Sequence, residues 1–334
     1  MSRVLVIGAG ISGLLAAHRL QAEGHEVTVL DKSHRPGGRM ATRRVGDATF
    51  DLGAQFFTVK DDRFATHLWE WRDRGLAAEW FRGAPDADAD PHTDGHPRFR
   101  GVPAMRAIAD HLGADTDLRL ARRVTEIVSG PSGWRVRSVA RQDPGDHDEQ
   151  VAEALLCTAP VPQTLALLDA GDVGLTAARR RELEAVTYAP TLALLVVPAR
   201  PPRLGARGAL RLSQGPLAFL SDNQAKGVST VPAVTIHATE ELSRRRWADG
   251  DDAVAAEVLD AARPWLGGDA EVVGLQRWRY ATPMTEPDEA RVPARIDVAP
   301  APIAFAGDAF AGGRVEGAAR SGLAAADLLT EVLD

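Results

Sequence analysis

Residues 3–31 read RVLVIGAGISGLLAAHRLQAEGHEVTVLD: an apolar run of strand length, a glycine turn, a helical pattern, and a second strand ending on a carboxylate. Gly8, Gly10 and Gly13 have the spacing G-x-G-x-x-G. Gly8 permits the tight turn, Gly10 lets a pyrophosphate reach the backbone, and Gly13 lets helix pack on strand; the helix N-terminus then faces the phosphate charge. Leu14, Leu15, Ala17 and Leu20 repeat at helical spacing. Asp31 stands where a carboxylate can bond ribose hydroxyls. The opening therefore predicts a βαβ unit built to hold a dinucleotide.

The glycine motif alone does not separate NAD from FAD. Pro36, Gly37, Gly38 and Arg39 follow the acid within eight residues and bring a second glycine turn and a guanidinium toward the same pyrophosphate. A loosely exchanging NAD does not usually need this second clamp, so the expectation is resident FAD. At the other end, FAGDAFAGGRVEGAARSG places Gly307 and Asp308 after a strand, where the carboxylate can take a ribityl hydroxyl. Gly317 and Ala318 open a helix whose amides and dipole can stabilise an anionic reduced flavin.

With 334 residues the chain can form two domains. A net charge of −7 argues against a surface for nucleic acid or anionic membrane. The single cysteine, Cys157, excludes an intrachain disulfide and sits in the apolar run ALLCTAP, as a buried structural thiol would. Residues 3–7 lead at once into the glycine turn, and no stretch reaches the roughly 18 apolar residues of a spanning helix. The expectation is a cytoplasmic protein with no membrane partner.

A helix is predicted over 64–74, with Leu68, Trp69 and Trp71 packed on another layer. Residues 83–98 form a polar, Pro- and Asp-rich surface insertion. Its DADAD fails as a calcium loop, because Pro91 and Pro97 occupy the Gly and Glu positions, and His92 and His96 lack a metal-site context; no metal is expected. Strands are predicted over 122–128 and 134–139, then an acidic loop, DPGDHDE, then a buried strand over 155–159. From Pro160 to about Leu275 the pattern shifts to longer strands, LALLVV and AVTIHA, with a helix near 253–262. Strand, glycine turn and helix at both termini imply one sheet with the middle inserted. The expected fold class is α/β (α+β overall). Residues 1–62, 101–165 and 275–334 would form a Rossmann-like FAD-binding domain, and 63–100 with 166–274 an inserted substrate domain of mixed sheet and helix.

The combination of GAGISG, PGGR and a C-terminal GD with EGAARSG resembles the FAD-dependent amine oxidase superfamily. Within it, GGRMATRR, FDLGAQFFT, FLSDNQAKG, TIHATEELS, LQRWRYATP and GGRVEGAARSGLAAA are similar to the renalase-like branch, from residue 4 to about 328. The resemblance implies a two-domain architecture like that of amine oxidases and p-hydroxybenzoate hydroxylase. It implies that Gly8, Gly10, Ile11, Ser12, Gly13, Asp31, Lys32, Gly38, Arg39 and Met40 hold the adenosine and pyrophosphate of a non-covalent FAD. Val124 would meet the adenine by its backbone. Gly53, Ala54, Gln55 and Phe56 would run along the flavin ring, Gly307 and Asp308 along the ribityl chain, and Arg314, Val315, Glu316, Gly317 and Ala318 near the pyrimidine edge. The implied reaction oxidises 2- and 6-dihydro isomers of NAD(P)H to NAD(P)+ by hydride transfer to flavin N5, with O2 reoxidising the flavin to give hydrogen peroxide. Such chemistry needs a flat ring stacked at about 3–3.5 Å and no strong base.

Gln55, Phe57, Asn223, His237, Trp278 and Tyr280 are the expected substrate-side lining. The blander readings stand beside this: Trp278 and Tyr280, alternating in RWRY, serve equally as core aromatics, His237 as a structural histidine, and Asn223 as a turn residue. Lys32, Lys60 and Lys226 lie in no obvious flavin-facing segment, which disfavours an ordinary amine oxidase. AFAGG follows the Gly-Asp pair where a bulkier aromatic is expected. The rival functions are an amine oxidase or desaturase of a small secondary metabolite, and a non-catalytic FAD-binding redox sensor.

Overall fold

The computed structural model describes residues 1–83, 95–284 and 293–334. DADAD, Pro91 and His92 lie outside the described residues, whereas Pro97 opens the strand Pro97–Gly101. β1 (Arg3–Ile7), α1 (Ile11–Ala22) and β2 (Glu26–Leu30) form the expected βαβ unit, with β1 and β2 parallel. β1 also pairs in parallel with Ala154–Cys157 on its other side, giving a six-stranded sheet. Val4 to Ile7 are all buried, as a strand covered on both faces must be. The strand order reverses at β1, so a crevice opens beyond its C-terminal end, where Gly8 donates its N–H to the Leu30 carbonyl at 2.8 Å.

α1 buries Leu14, Leu15 and Leu20 against this sheet, each contributing about 1.5–3 kcal/mol. The C-terminal helix Val315–Leu333 packs beside α1 at very short range: a Cβ on Gly322 would stand 2.1 Å from the Ser12 carbonyl oxygen. This absence of a side chain lets the two helices that flank the crevice touch backbone to backbone.

The second layer of the molecule is a five-stranded antiparallel sheet whose two longest strands, Tyr188–Pro198 and the edge strand Ala270–Pro283, follow each other over ten paired residues. The helix Asp251–Ala262 covers its apolar face. A short hairpin, Thr42–Val45 and Ala48–Asp51, joins the layers: Phe50 and Leu52 pack with Leu195 and Ala233 of that sheet.

Three placements differ from the sequence-based expectation. The strand through residue 275 stays in the five-stranded sheet to Pro283, because its pairing with Tyr188–Pro198 is uninterrupted except by bulges; the chain returns to the six-stranded sheet at Arg295. Helix Asp62–Asp73 packs Phe64, Leu68 and Trp71 into the core around α1, so this part of 63–100 belongs with the dinucleotide layer; Trp69 faces solvent at 54% exposure. Residues 147–149, expected in the acidic loop DPGDHDE, open a third strand, His147–Ala152, beside Gly133–Ala140, since Val151 and Ala152 continue the ladder. Among the described residues no helix is long and apolar enough to cross a membrane.

Gly322→Val forces a side chain into the Ser12 backbone. Overpacking of this kind costs about 1–3 kcal/mol, and urea unfolding is expected to show a lowered midpoint with an unchanged slope.

Candidate active site

The first turn of α1 has Gly10 as its N-cap and no side chain capping it. A Cβ on Gly10 would meet no atom within 4 Å, whereas one on Gly13 would collide with the Gly8 carbonyl at 2.0 Å. Gly10 therefore borders open space and Gly13 a packing contact. The Ser12 hydroxyl is buried without a hydrogen-bond partner, and Gly38 approaches the Gly10 Cα from across the crevice. Uncapped helix amides, an orphaned hydroxyl and two facing glycines fit a pyrophosphate. Asp31 accepts N–H bonds from Ala9 at 2.8 Å and Ser33 at 2.7 Å, which fixes its carboxylate at the mouth of the crevice. Ile11 and Met40 are buried in the core, so only their backbones can serve a cofactor, and Lys32 bonds the exposed Gln163 side chain at 3.0 Å. Val124 lies at a register irregularity of the strand Arg122–Gly130.

Arg39 was expected to fork onto pyrophosphate. Instead both its terminal nitrogens bond Asp308, Nη2 to Oδ1 at 2.7 Å, and Nη1 also bonds the Ala281 carbonyl at 3.0 Å. A guanidinium beside a carboxylate in a partly dry crevice takes the strongest bidentate partner within reach. The pair joins the N-terminal glycine turn to the C-terminal Gly-Asp turn. Gly307 donates to the Ser321 hydroxyl at 2.9 Å, and Val315, Gly317 and Ala318 form the first turn of the C-terminal helix behind the uncapped Arg314. Glu316 does not face that crevice: its Oε1 accepts from the Lys60 and Asp61 amides at 2.6 and 2.7 Å, ahead of helix Asp62–Asp73. The aromatic expected directly after Asp308 is displaced to Phe310, which packs beside Tyr280 at the edge of the neighbouring apolar cluster.

The substrate-side residues are gathered around one buried carboxylate that the sequence did not single out. Asp51 Oδ2 accepts from Lys226 Nζ at 2.7 Å, with both side chains fully buried. Its Oδ1 accepts from Thr42 Oγ1 at 2.6 Å and the Met105 amide at 3.0 Å. Lys226 also reaches Gln55 Oε1 at 3.3 Å, while Gln55 Nε2 donates to the Asp51 carbonyl at 2.8 Å. Asn223 Oδ1 accepts the Asp51 amide at 3.1 Å, and His237 Nε2 and Trp278 Nε1 donate to the Leu52 carbonyl at 3.0 and 3.3 Å. Burial lowers the Lys226 pKa against the opposing pull of Asp51, and burial lowers that of His237, which is held neutral as a donor.

These contacts bring Gln55, Asn223, His237 and Trp278 together beneath the segment Gly53–Phe56, whose Ala54 amide bonds the Arg39 carbonyl at 2.9 Å. They do so as braces of the Asp51–Gly53 backbone. Two expectations fail. Phe57 is 3% exposed and packs with Phe64, Trp71 and Phe99 in the dinucleotide-layer core, because its backbone bridges Phe99. Trp278 and Tyr280 do not form one aromatic wall: a bulge separates their pairing positions, Trp278 packs near Phe50, and Tyr280 meets Tyr188 at 5.5 Å. Lys226 also departs from expectation, since its ammonium lies against Gln55. Its signal in the sequence was scarcity: it is one of three lysines in an arginine-rich chain. Cys157 is buried, and burial raises its thiol pKa.

The model for an NAD(P)-binding Rossmann-like domain matches residues 6–71, and that for the flavin containing amine oxidoreductases matches residues 87–330. A neurosporene-forming phytoene desaturase of Rhodobacter capsulatus is 52% identical over 61 residues, covering 18% of this chain and 12% of the desaturase. A 4,4'-diapophytoene desaturase of Staphylococcus haemolyticus is 45% identical over 58 residues, 17% of this chain and 12% of that one. The chain thus matches only a small part of these relatives' length. Among solved structures, a chain provisionally assigned as a protoporphyrinogen oxidase from Exiguobacterium sp. 255-15 superposes with a TM-score of 0.70 at 14% identity, covering 99% of this chain and 98% of that one. A putrescine oxidase redesigned in its cofactor binding gives 0.72 at 16% identity, covering 99% of both. At these identities the likeness is one of fold.

Gly10→Val introduces a side chain into open space at an extended backbone position, φ −79° and ψ 175°. It is expected to give folded, colourless protein, whereas Gly13→Val is expected to fail to fold; far-ultraviolet circular dichroism with the visible flavin band separates the two.

His237 yields a pH prediction. Its folded pKa lies below the ordinary 6.5, so the unfolded chain takes the proton first as pH falls. The His237 contribution is full above pH 6.5 and is lost as pH drops through the folded value. His237→Gln keeps a donor for the Leu52 carbonyl and is expected to flatten this part of the urea-midpoint profile below pH 6.5.

Proposed function

Because the chain belongs to the flavin-containing amine oxidoreductase family and is an FAD-dependent oxidoreductase, we propose that it oxidises an electron-rich planar donor, the 2- and 6-dihydro isomers of NAD(P)H, to NAD(P)+. The observation that carries this reading is the fate of the polar side chains at the substrate side. Gln55, Asn223 and His237 are engaged with the Asp51–Gly53 backbone, and Lys226 is tied to Asp51. A dihydropyridine expels hydride with the push of its own ring nitrogen, so a site whose imidazole is buried against charging and whose ammonium is tied to a carboxylate still serves it. The residues that would hold the cofactor are those of the crevice: Gly8, Gly10, Ser12, Gly13, Asp31, Gly38, Arg39 and Asp308, with the first turn of the C-terminal helix at the far end. FAD when bound supplies the two-electron hydride acceptor, and its reoxidation by O2 yields hydrogen peroxide.

The protein's own part in such a reaction is placement. The backbone leading into Gly53–Phe56 is held from both sides: the Arg39 carbonyl accepts the Ala54 amide, and the five-stranded sheet donates to the Asp51 and Leu52 carbonyls. A platform of this kind holds a donor carbon in reacting distance, which can contribute several kcal/mol to the barrier without proton transfer. A second reading, oxidation of an amine or desaturation of a small metabolite, draws on the Lys226 ammonium at Gln55 and on the family's name.

Mixing the FAD-bound protein anaerobically with borohydride-generated NADH isomers is expected to bleach the flavin rapidly, with colour and peroxide returning on air. Bleaching by amines alone transfers the assignment to the second reading, and bleaching by dithionite alone rules out both.

A further inference from the structure

Directly after Gln55 the chain places Phe56 in an aromatic cluster that the expected site did not contain. Phe56 meets Trp80 at 6.5 Å, Phe81 at 5.8 Å and Phe219 at 6.1 Å between ring centroids. Phe56, Trp80 and Phe219 are only partly buried, so this cluster is a lining rather than a closed core. Trp80 sits at a register irregularity between Ala77–Arg82 and Pro97–Gly101, and bulges re-aim side chains. Its Nε1 is enclosed and has no acceptor. A buried N–H left in this state costs about 1–3 kcal/mol, a cost that a ligand's acceptor would remove.

One cation lies over this indole, and a second lies beside the first. Lys226 Nζ lies 5.0 Å from the Trp80 ring centroid, but is already bound to Asp51 and Gln55. Arg100 is different. It donates to the Gly101 carbonyl at 3.1 Å and feels the charge of Asp51, whose carboxylate oxygens are already bonded to Lys226, Thr42 and the Met105 amide. Its Nη2 lies against Gly227, beside Lys226, at 3.0 Å from where a Cβ would stand. An N–H without an acceptor, a half-buried guanidinium whose nearest carboxylate is already bonded to Lys226, and flat aromatic walls thus lie around Lys226 on the Gln55–Phe56 side of the site.

We propose that Trp80 and Arg100 bind the exocyclic carbonyl group, carboxamide or carboxylate, of a flat-ring substrate lying against Phe56 and Phe219. This rests on the reading of the site as one for a planar donor and names the substituent by which that donor is recognised. Trp80 supplies one neutral donor and Arg100 a charged one, so a carboxamide needs chiefly the indole and a carboxylate chiefly the guanidinium.

The test titrates the FAD-bound protein with nicotinamide, benzoate and unsubstituted pyridine, following perturbation of the flavin absorption band. Nicotinamide and benzoate are expected to bind about tenfold more tightly than pyridine, the effect of one well-placed hydrogen bond. Trp80→Phe, which keeps an aromatic ring, is expected to erase the preference for nicotinamide over pyridine. Arg100→Gln is expected to weaken benzoate about tenfold and nicotinamide less, with Arg100→Lys recovering part of the loss. Flavin content and thermal midpoint establish that each variant is folded. Equal binding of all three rings, no binding of any, or variants that bind like the parent overturn the proposal. Retained Trp80 and Arg100 dependence with no oxidation of dihydronicotinamides leaves this subsite standing and sinks only the reaction.

Discussion

The ion pair between Asp51 and Lys226 is the contact on which the site is built. Two fully buried charges lose several kcal/mol of hydration each, and their attraction offsets this only if the remaining lone pairs and protons are satisfied. Here they are: Thr42 and the Met105 amide occupy the other carboxylate oxygen, and Gln55 takes a second bond from the ammonium. Removing one partner from such a pair costs about 3–5 kcal/mol, because the other stays buried and charged. The pair therefore contributes less to net stability than to a unique arrangement, since neither charge has an alternative seat as good.

What that arrangement fixes is a short stretch of backbone. The Asp51 carbonyl takes bonds from Gln55 and Thr235, the Leu52 carbonyl from His237 and Trp278, and Gly53 lies so close to the Arg39 carbonyl that a Cβ would stand 2.2 Å from it. Arg39 in turn holds Asp308 at the far end of the chain. Side chains separated by more than two hundred residues thus form one bonded series. It runs from the five-stranded sheet, through the segment expected along the flavin ring, to the two glycine turns at the crevice. Apolar contacts alone, as between Phe50 and Leu195, would join the layers but would not specify which carbonyl faces which donor.

The parts of this plan legible in the sequence are those fixed by local steric need. The G-x-G-x-x-G turn, the second glycine turn at Gly38 and the Gly-Asp pair at Gly307 each constrain the backbone within a few residues, so their spacing announces them. Asp51 is invisible by that logic: it sits in FDLGAQ beside apolar residues, and its partner is 175 residues away. Long-range pairing leaves no periodicity behind. The same reason explains Phe57, which its place in the family-like segment FDLGAQFFT puts on the site side and a bridge to Phe99 turns into the core. Trp80 escapes notice because a register irregularity, set by the pairing of two strands, decides where it points, and Arg100 because its place beside Gly227 is set by a contact across the fold. Lys226, set aside in the sequence, and Glu316, expected near the pyrimidine edge, are residues whose partners only the fold supplies.

The inward commitment of polar groups has a consequence for how a reaction can be driven here. A general base must hold the proton it takes, yet His237, whose Nε2–H is given to a backbone carbonyl, sits in a buried setting that disfavours charging it, and Asn223 and Gln55 spend their amides on Asp51. Each of these bonds stiffens the platform, and none of them supplies a strong base. A donor that needs a proton removed before oxidation is poorly matched to such a site, whereas one that carries its own electron push gains from every restriction on its position. Rigidity and the weakness of the one imidazole are then two aspects of one design, and the aromatic rings beside Gln55 provide the face on which position can be set.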